Sequence, residues 1–136
     1  MPTFTRFEEI NAWQKARVFC DEIHKISCET NLAKDYNLKK QVNDSSGSIM
    51  DNIAEGFGRG GNGEFIQFLE VSHASACECQ SQLYRIYDRK YVSKEKLRLL
   101  YKQAEEIKRM LLGLITYLLN SEIKGPKYKP RQNKKK

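Results

Sequence analysis

Two histidines in a chain of 136 residues leave little from which to build acid–base or nucleophilic chemistry, and no set of nucleophile, base and orienting group can be read along it. Strand-like alternation is missing too, which sets sheet architectures aside. The longest apolar run, residues 110–119, reaches about half the length of a membrane span, so no membrane partner is expected. The opening stretch MPTFTRFEEINAW carries charges where a secretory leader needs an apolar centre, and a reducing cytoplasm is the expected location. Of the four cysteines, Cys20, Cys28, Cys77 and Cys79, the last two sit two apart on a predicted helix, about 200° around its axis, and cannot pair with each other. There is no internal repeat.

Acidic residues are absent from one region. All 17 lie at or before Glu122, whereas residues 124–136 hold six lysines and one arginine, so that segment accounts for the whole net charge of +7 and the remainder is balanced. Following a Gly125-Pro126 stop and almost without apolar side chains, residues 124–136 are expected to form a disordered basic tail on a single domain, residues 1–123. Such a tail either solubilises the chain or adds salt-sensitive attraction to phosphate. Within the domain the charges also separate: positions 44–78 carry six acids and one base, Arg59, while positions 85–102 carry seven bases and two acids.

What the sequence has in quantity is helical periodicity. The spacing predicts a first helix opening at Asn11, with Gln14 reaching back to the cap, and running to about Thr30. Its inward face holds Ala12, Trp13, Ala16, Phe19, Cys20, Ile23 and Ile26. A second helix is predicted from Asp35 or Asn37 to about Phe57, with Leu38, Val42, Ile49, Ile53 and Phe57 in one stripe. Five of the eight glycines then fall between Gly56 and Gly63 and break the chain sharply. A third helix, opened by Asn62 and Glu64, carries Phe65, Leu69, Ser72, Ala76, Cys79, Leu83 and Ile86 inward until about Tyr91. Ser93 caps the fourth, whose seam is Leu97, Leu100, Ala104, Ile107, Leu111, Leu114 and Leu118. Four long helices with short connections predict an all-α, antiparallel up-down-up-down four-helix bundle. Leu112, Ile115 and Leu119 widen the apolar arc of the fourth helix to about 220°, which predicts a second buried surface: a subunit contact, or else burial in a thick core of the chain itself.

The segments FEEINAWQKARVFCDEIHKI, SIMDNIAEGFGR and GEFIQFLEVSHASACE together resemble the four-helix-bundle family named after proteins encoded in 23S rRNA intervening sequences. The similarity spans roughly residues 7–119; at Met50 and Asp51 the chain departs from the proline followed by alanine that is usual there. The resemblance implies an antiparallel bundle and a homo-oligomer, with a ring-shaped pentamer favoured. More remotely the chain is similar to accessory variability proteins of diversity-generating retroelements, whose barrels bind nucleic acid and a reverse transcriptase.

Several motifs invite chemistry that their context argues against. Gly56, Gly58 and Gly61 have dinucleotide-fingerprint spacing, but a helix precedes them where that loop needs a strand, so no cofactor is expected. Asp21-Glu22-Ile23-His24 and Glu70-Val71-Ser72-His73 imitate the carboxylate–histidine pairs of di-metal bundles, with Glu55 and Glu105 as further candidates, yet their wheel positions do not converge inside one bundle. Cys20, His24 and Cys28 stack along one helix and lack a fourth zinc ligand. No metal site and no catalytic residue are assigned. Ser45, Ser48, Asn52, Glu55, Gly56 and Arg59 form a small, polar stripe; Asn52 and the Glu55 to Arg59 pair are expected to bond across a close helix contact, in a polar network that fixes helix register or the subunit interface, the alternative being a ligand site around Asn52, Glu55 and Arg59.

The hairpin joining the third and fourth helices is the strongest candidate surface. Tyr84, Tyr87 and Tyr91 line one side, with Arg85, Arg89 and Lys90 beside them and Lys94, Lys96 and Arg98 across the turn. In an up-down bundle it shares an end with the first connection, which carries Lys34, Lys39 and Lys40. Aromatic faces among cations suit nucleic acid, RNA over DNA, and the expected function is non-catalytic binding of structured RNA by charge and shape. The alternative is a protein-interaction scaffold, in which the oligomer docks another protein.

Overall fold

The computed structural model describes residues 4–121, and the expected basic tail lies outside them. Four helices dominate: α1 (Asn11–Glu29), α2 (Tyr36–Gly58), α3 (Asn62–Asp88) and α4 (Lys94–Ser121), with short 3₁₀ turns at Phe7–Glu9 and Asn31–Lys34 ahead of α1 and α2. No strand occurs among the described residues. Between Pro2 and Pro126 there is no proline to remove a helical donor, and α2 continues unbroken through Met50 and Asp51.

The helix ends follow local chemistry. Ser93 Oγ accepts the Lys96 amide (3.1 Å) and starts α4 as expected. Thr30 donates to the Ile26 carbonyl (2.6 Å) and accepts from the Leu32 amide (3.2 Å), ending α1 and opening the next 3₁₀ turn. Asn11 differs from its expected role: it is the first helical residue, extended Ile10 occupies the cap, and Gln14 reaches past both to the Glu8 carbonyl at 2.8 Å. The preceding 3₁₀ turn brings that carbonyl under the helix start, with Phe7 packed edge-on against Trp13 at 5.1 Å. At the end of α3, Lys90 takes a left-handed φ of 65°. Its amide bonds to the Tyr87 carbonyl (2.8 Å) and that of Tyr91 to Ile86 (3.1 Å), a Schellman closure with lysine where glycine is usual.

Every aliphatic side chain read as inward on the four helices is buried, and all except Phe57 and Trp13 among the aromatic ones are nearly inaccessible. Phe57 retains 9% exposure against Phe65, and Trp13 is half-buried. Hydrogen bonds fix helix directions: Gln41 with Arg85, Ser45 with Gln82 and Ser48 with Ser75 pair ascending numbers in α2 with descending ones in α3. Gln80 with Glu105 and Asn62 with the Leu118 carbonyl do the same for α3 and α4. Helix α4 also packs on α1 and closes the four-helix bundle.

Candidate functional site

Asp35 joins the two connections at one end of the bundle. Its Oδ2 accepts Arg89 Nη1 at 2.7 Å and the Tyr91 hydroxyl at 2.9 Å, tying the residue ahead of α2 to the α3–α4 hairpin. The Arg89 bond, then that of Tyr91, holds the Asp35 carboxyl below its usual pKa, and the same bond raises the Tyr91 phenol. Arg85 donates to the uncharged amide oxygen of Gln41 (2.9 Å), so its charge is not neutralised there. Lys34, Lys90, Lys94 and Arg98 are exposed, Lys39 and Lys96 are half-buried, and exposed Lys40 pairs with Asp44 at 2.6 Å.

The three tyrosines differ in surroundings. Tyr87 packs half-buried against the core, and Tyr91 is half-buried with its hydroxyl on Asp35. Tyr84 is 51% exposed and meets Tyr101 edge to face at 5.7 Å. The two rings line an open groove of about 510 Å³ on the α3/α4 face with Lys94, Leu97, Arg98, Lys102 and Glu105. Glu105 Oε1 accepts Gln80 Nε2 at 2.9 Å and lies 3.4 Å from Lys108 Nζ; the Gln80 bond is the main reason its carboxyl is held low.

The polar stripe of α2 is used differently from the expectation. Gly56 does mark the close approach: a Cβ there would lie 2.5 Å from Phe68 Cβ and 3.1 Å from Phe65 Cδ1. Asn52, however, donates to the carbonyl and hydroxyl of Ser48 on its own helix, both at 2.8 Å. The Glu55 to Arg59 pair (3.0 Å) is exposed along α2, and only the Arg59 guanidinium crosses, stacking 5.0 Å from the Phe68 ring. Three of the bonds across the α2–α3 contact involve serine hydroxyls: Ser48 with Ser75 (2.8 Å), Ser72 to the Ile49 carbonyl (2.7 Å), and Ser45 to Gln82 Oε1 (2.6 Å). Since the Ser45 hydrogen goes to Gln82, the Cys79 thiol 3.1 Å away is the donor to Ser45. Burial pushes that thiol up to about 12, which keeps it in the donating form.

The remaining candidates stand apart. His24 lies 3.6 Å from Cys28 Sγ and His73 lies 3.9 Å from Cys77 Sγ, each an exposed pair along one helix. Among the described residues no three His, Cys, Asp or Glu side chains gather closely enough to hold a metal ion. Gly60, with φ of 90°, makes the turn between α2 and α3. On α4, Ile115 is 9% exposed and belongs to the chain's own core, while Leu112 (50%) and Leu119 (58%) face outward. No helix of the described residues is long and apolar enough to cross a membrane.

The model of the 23S rRNA-intervening sequence protein family matches residues 8–113. The chain belongs to that family. Among solved structures, it is similar to a protein of unknown function from the S23 ribosomal protein family of Bacteroides thetaiotaomicron VPI-5482. The TM-score is 0.70 at 24% identity, covering 77% of this chain and 95% of that one, a likeness of fold. No curated protein matches the chain. In this family member the periodicity of α3 and α4 missed Tyr101 and Lys102 as partners of the hairpin; antiparallel pairing of position 84 with 101 is the signal that finds them. Tyr36, 77% exposed beside Asp35, was likewise findable as an aromatic lying off the apolar stripe of α2.

Proposed function

We propose that this protein is a non-catalytic, oligomeric RNA-binding bundle that holds structured RNA through its basic end. The observation that supports the reading is the pair of hydrogen bonds from Arg89 and Tyr91 to Asp35, which ties the first connection, with its lysines, to the hairpin that carries the other cations. Arg85, Lys90, Lys94, Lys96 and Arg98 supply the charge for phosphate contact. A homo-oligomer, with a pentamer favoured, is supported by exposed Leu112 and Leu119, seven residues apart on one face of α4. Repeating the basic end on each subunit raises avidity. The cytoplasm is the proposed location.

The test is light scattering and RNA binding across a salt series, for the full chain, a chain ending at Ile123, and a variant with Lys90, Lys94, Lys96 and Arg98 all changed to Gln. A higher-order oligomer that binds without residues 124–136, and whose salt slope falls by about 1 for each phosphate contact removed, supports the proposal. Binding that vanishes with those residues, or ignores the four substitutions, overturns it. Exposed Leu112 and Leu119 would then favour a scaffold that docks another protein.

A further inference from the structure

The groove on the α3/α4 face has a feature that a purely phosphate-binding patch does not require. Tyr84 lies one turn from the end of α3 and leaves 51% of its surface open, whereas Tyr87 is packed on the core and Tyr91 is bonded to Asp35. Tyr101 supports it edge to face from α4, and Leu97 lines the same groove. Along the same groove stand Lys94, Arg98 and Lys102, four positions apart on α4 and therefore advancing about 6 Å per step. That rise is comparable with the separation of successive phosphates in an extended single strand. Glu105 closes the far end, with one carboxylate oxygen already engaged by Gln80 and Lys108.

A duplex keeps its bases stacked on one another and offers this ring nothing, while an unpaired base presents a free face. We propose that the groove receives an unpaired nucleotide of RNA, its base stacked on Tyr84 and the flanking phosphates on Lys94, Arg98 and Lys102. The inference rests on the nucleic-acid reading above and adds to it which part of the RNA is gripped: a loop or single-stranded segment rather than a helical stem.

The probe is a hairpin RNA carrying 2-aminopurine in its loop, compared with a blunt RNA duplex of equal length, against the full chain and its Tyr84→Phe and Tyr84→Leu variants. Stacking quenches the loop fluorescence with the unaltered chain and with Tyr84→Phe. Tyr84→Leu abolishes the quench and weakens loop binding by about fivefold or more, while Tyr84→Phe stays within about twofold and duplex affinity moves with neither. Loop RNA bound without quenching by the unaltered chain overturns the stacking site whether or not Tyr84→Leu folds. Loop and duplex binding that are equal and indifferent to Tyr84→Leu overturn it too, and leave the basic-end proposal standing. A chain that binds neither RNA overturns both.

Discussion

Arg89 and Asp35, 54 positions apart in sequence, meet at 2.7 Å, and the carboxylate oxygen they share with Tyr91 fastens the α3–α4 hairpin to the start of α2. The depressed carboxyl of Asp35 means that this clasp stabilises the fold above the ordinary value of 3.8 and loses its contribution as the pH falls through the lower folded value. The raised phenol of Tyr91 works in the opposite sense: its contribution is complete below 10.0 and is lost as the pH rises through the higher folded value. Asp35→Asn is therefore expected to be less stable than the parent at neutral pH, with the difference closing in acid; denaturant melts at pH 7 and pH 3 check it.

Two glycines of α2 should respond in opposite directions to the same change. A Cβ at Gly47 meets nothing within 4 Å, so Gly47→Ala gains helix propensity of about 0.5–1 kcal/mol. At Gly56 the added carbon collides with Phe68 Cβ, which moves only if the backbone of α3 moves, and Gly56→Ala should cost about 1–3 kcal/mol. Urea unfolding of both variants measures the contrast.

Thiol chemistry should sort the cysteines by depth. Cys28 and Cys77 are exposed, Cys20 is intermediate with its pKa raised by burial, and Cys79 is buried with its thiol pushed up to about 12. Iodoacetamide at pH 8 is expected to label Cys28 and Cys77 first, Cys20 more slowly, and Cys79 only when the protein unfolds. Peptide mass mapping over a time course reads the order.

Lys90 sits where glycine relieves a left-handed backbone. Lys90→Gly should stabilise the chain by about 1 kcal/mol, and at the same time weaken RNA binding and lower its salt slope, because one cation leaves the hairpin. A variant that became more stable with unchanged RNA binding would remove Lys90 from the interface.

Periodicity made most of the core legible because aliphatic side chains at spacings of three and four mark one face of a helix for burial: Leu38, Val42, Ile49 and Ile53 are all buried. Polar partners are decided by two helices at once. Within the chain Asn52 bonds to its own turn, while Ser75 and Gln82, silent in a hydrophobic pattern, make the crossing from α3 to α2. Ile115 and Leu112 are both apolar and three residues apart, and only the position of the neighbouring helices separates the core residue from the exposed one. The hairpin cations were visible as a charge cluster, but the Asp35 clasp that unites them with the first connection required the fold.

The seam of Ser45, Ser48, Ser72 and Ser75 also limits how the bundle can deform. Sliding α3 along α2 by a single turn, about 5.4 Å, would break the Ser45–Gln82, Ser48–Ser75 and Ser72–Ile49 bonds together. The α2–α3 contact is thus pinned to one register by side-chain bonds at three successive levels, and the α3–α4 hairpin at the basic end is carried on a pairing that resists sliding.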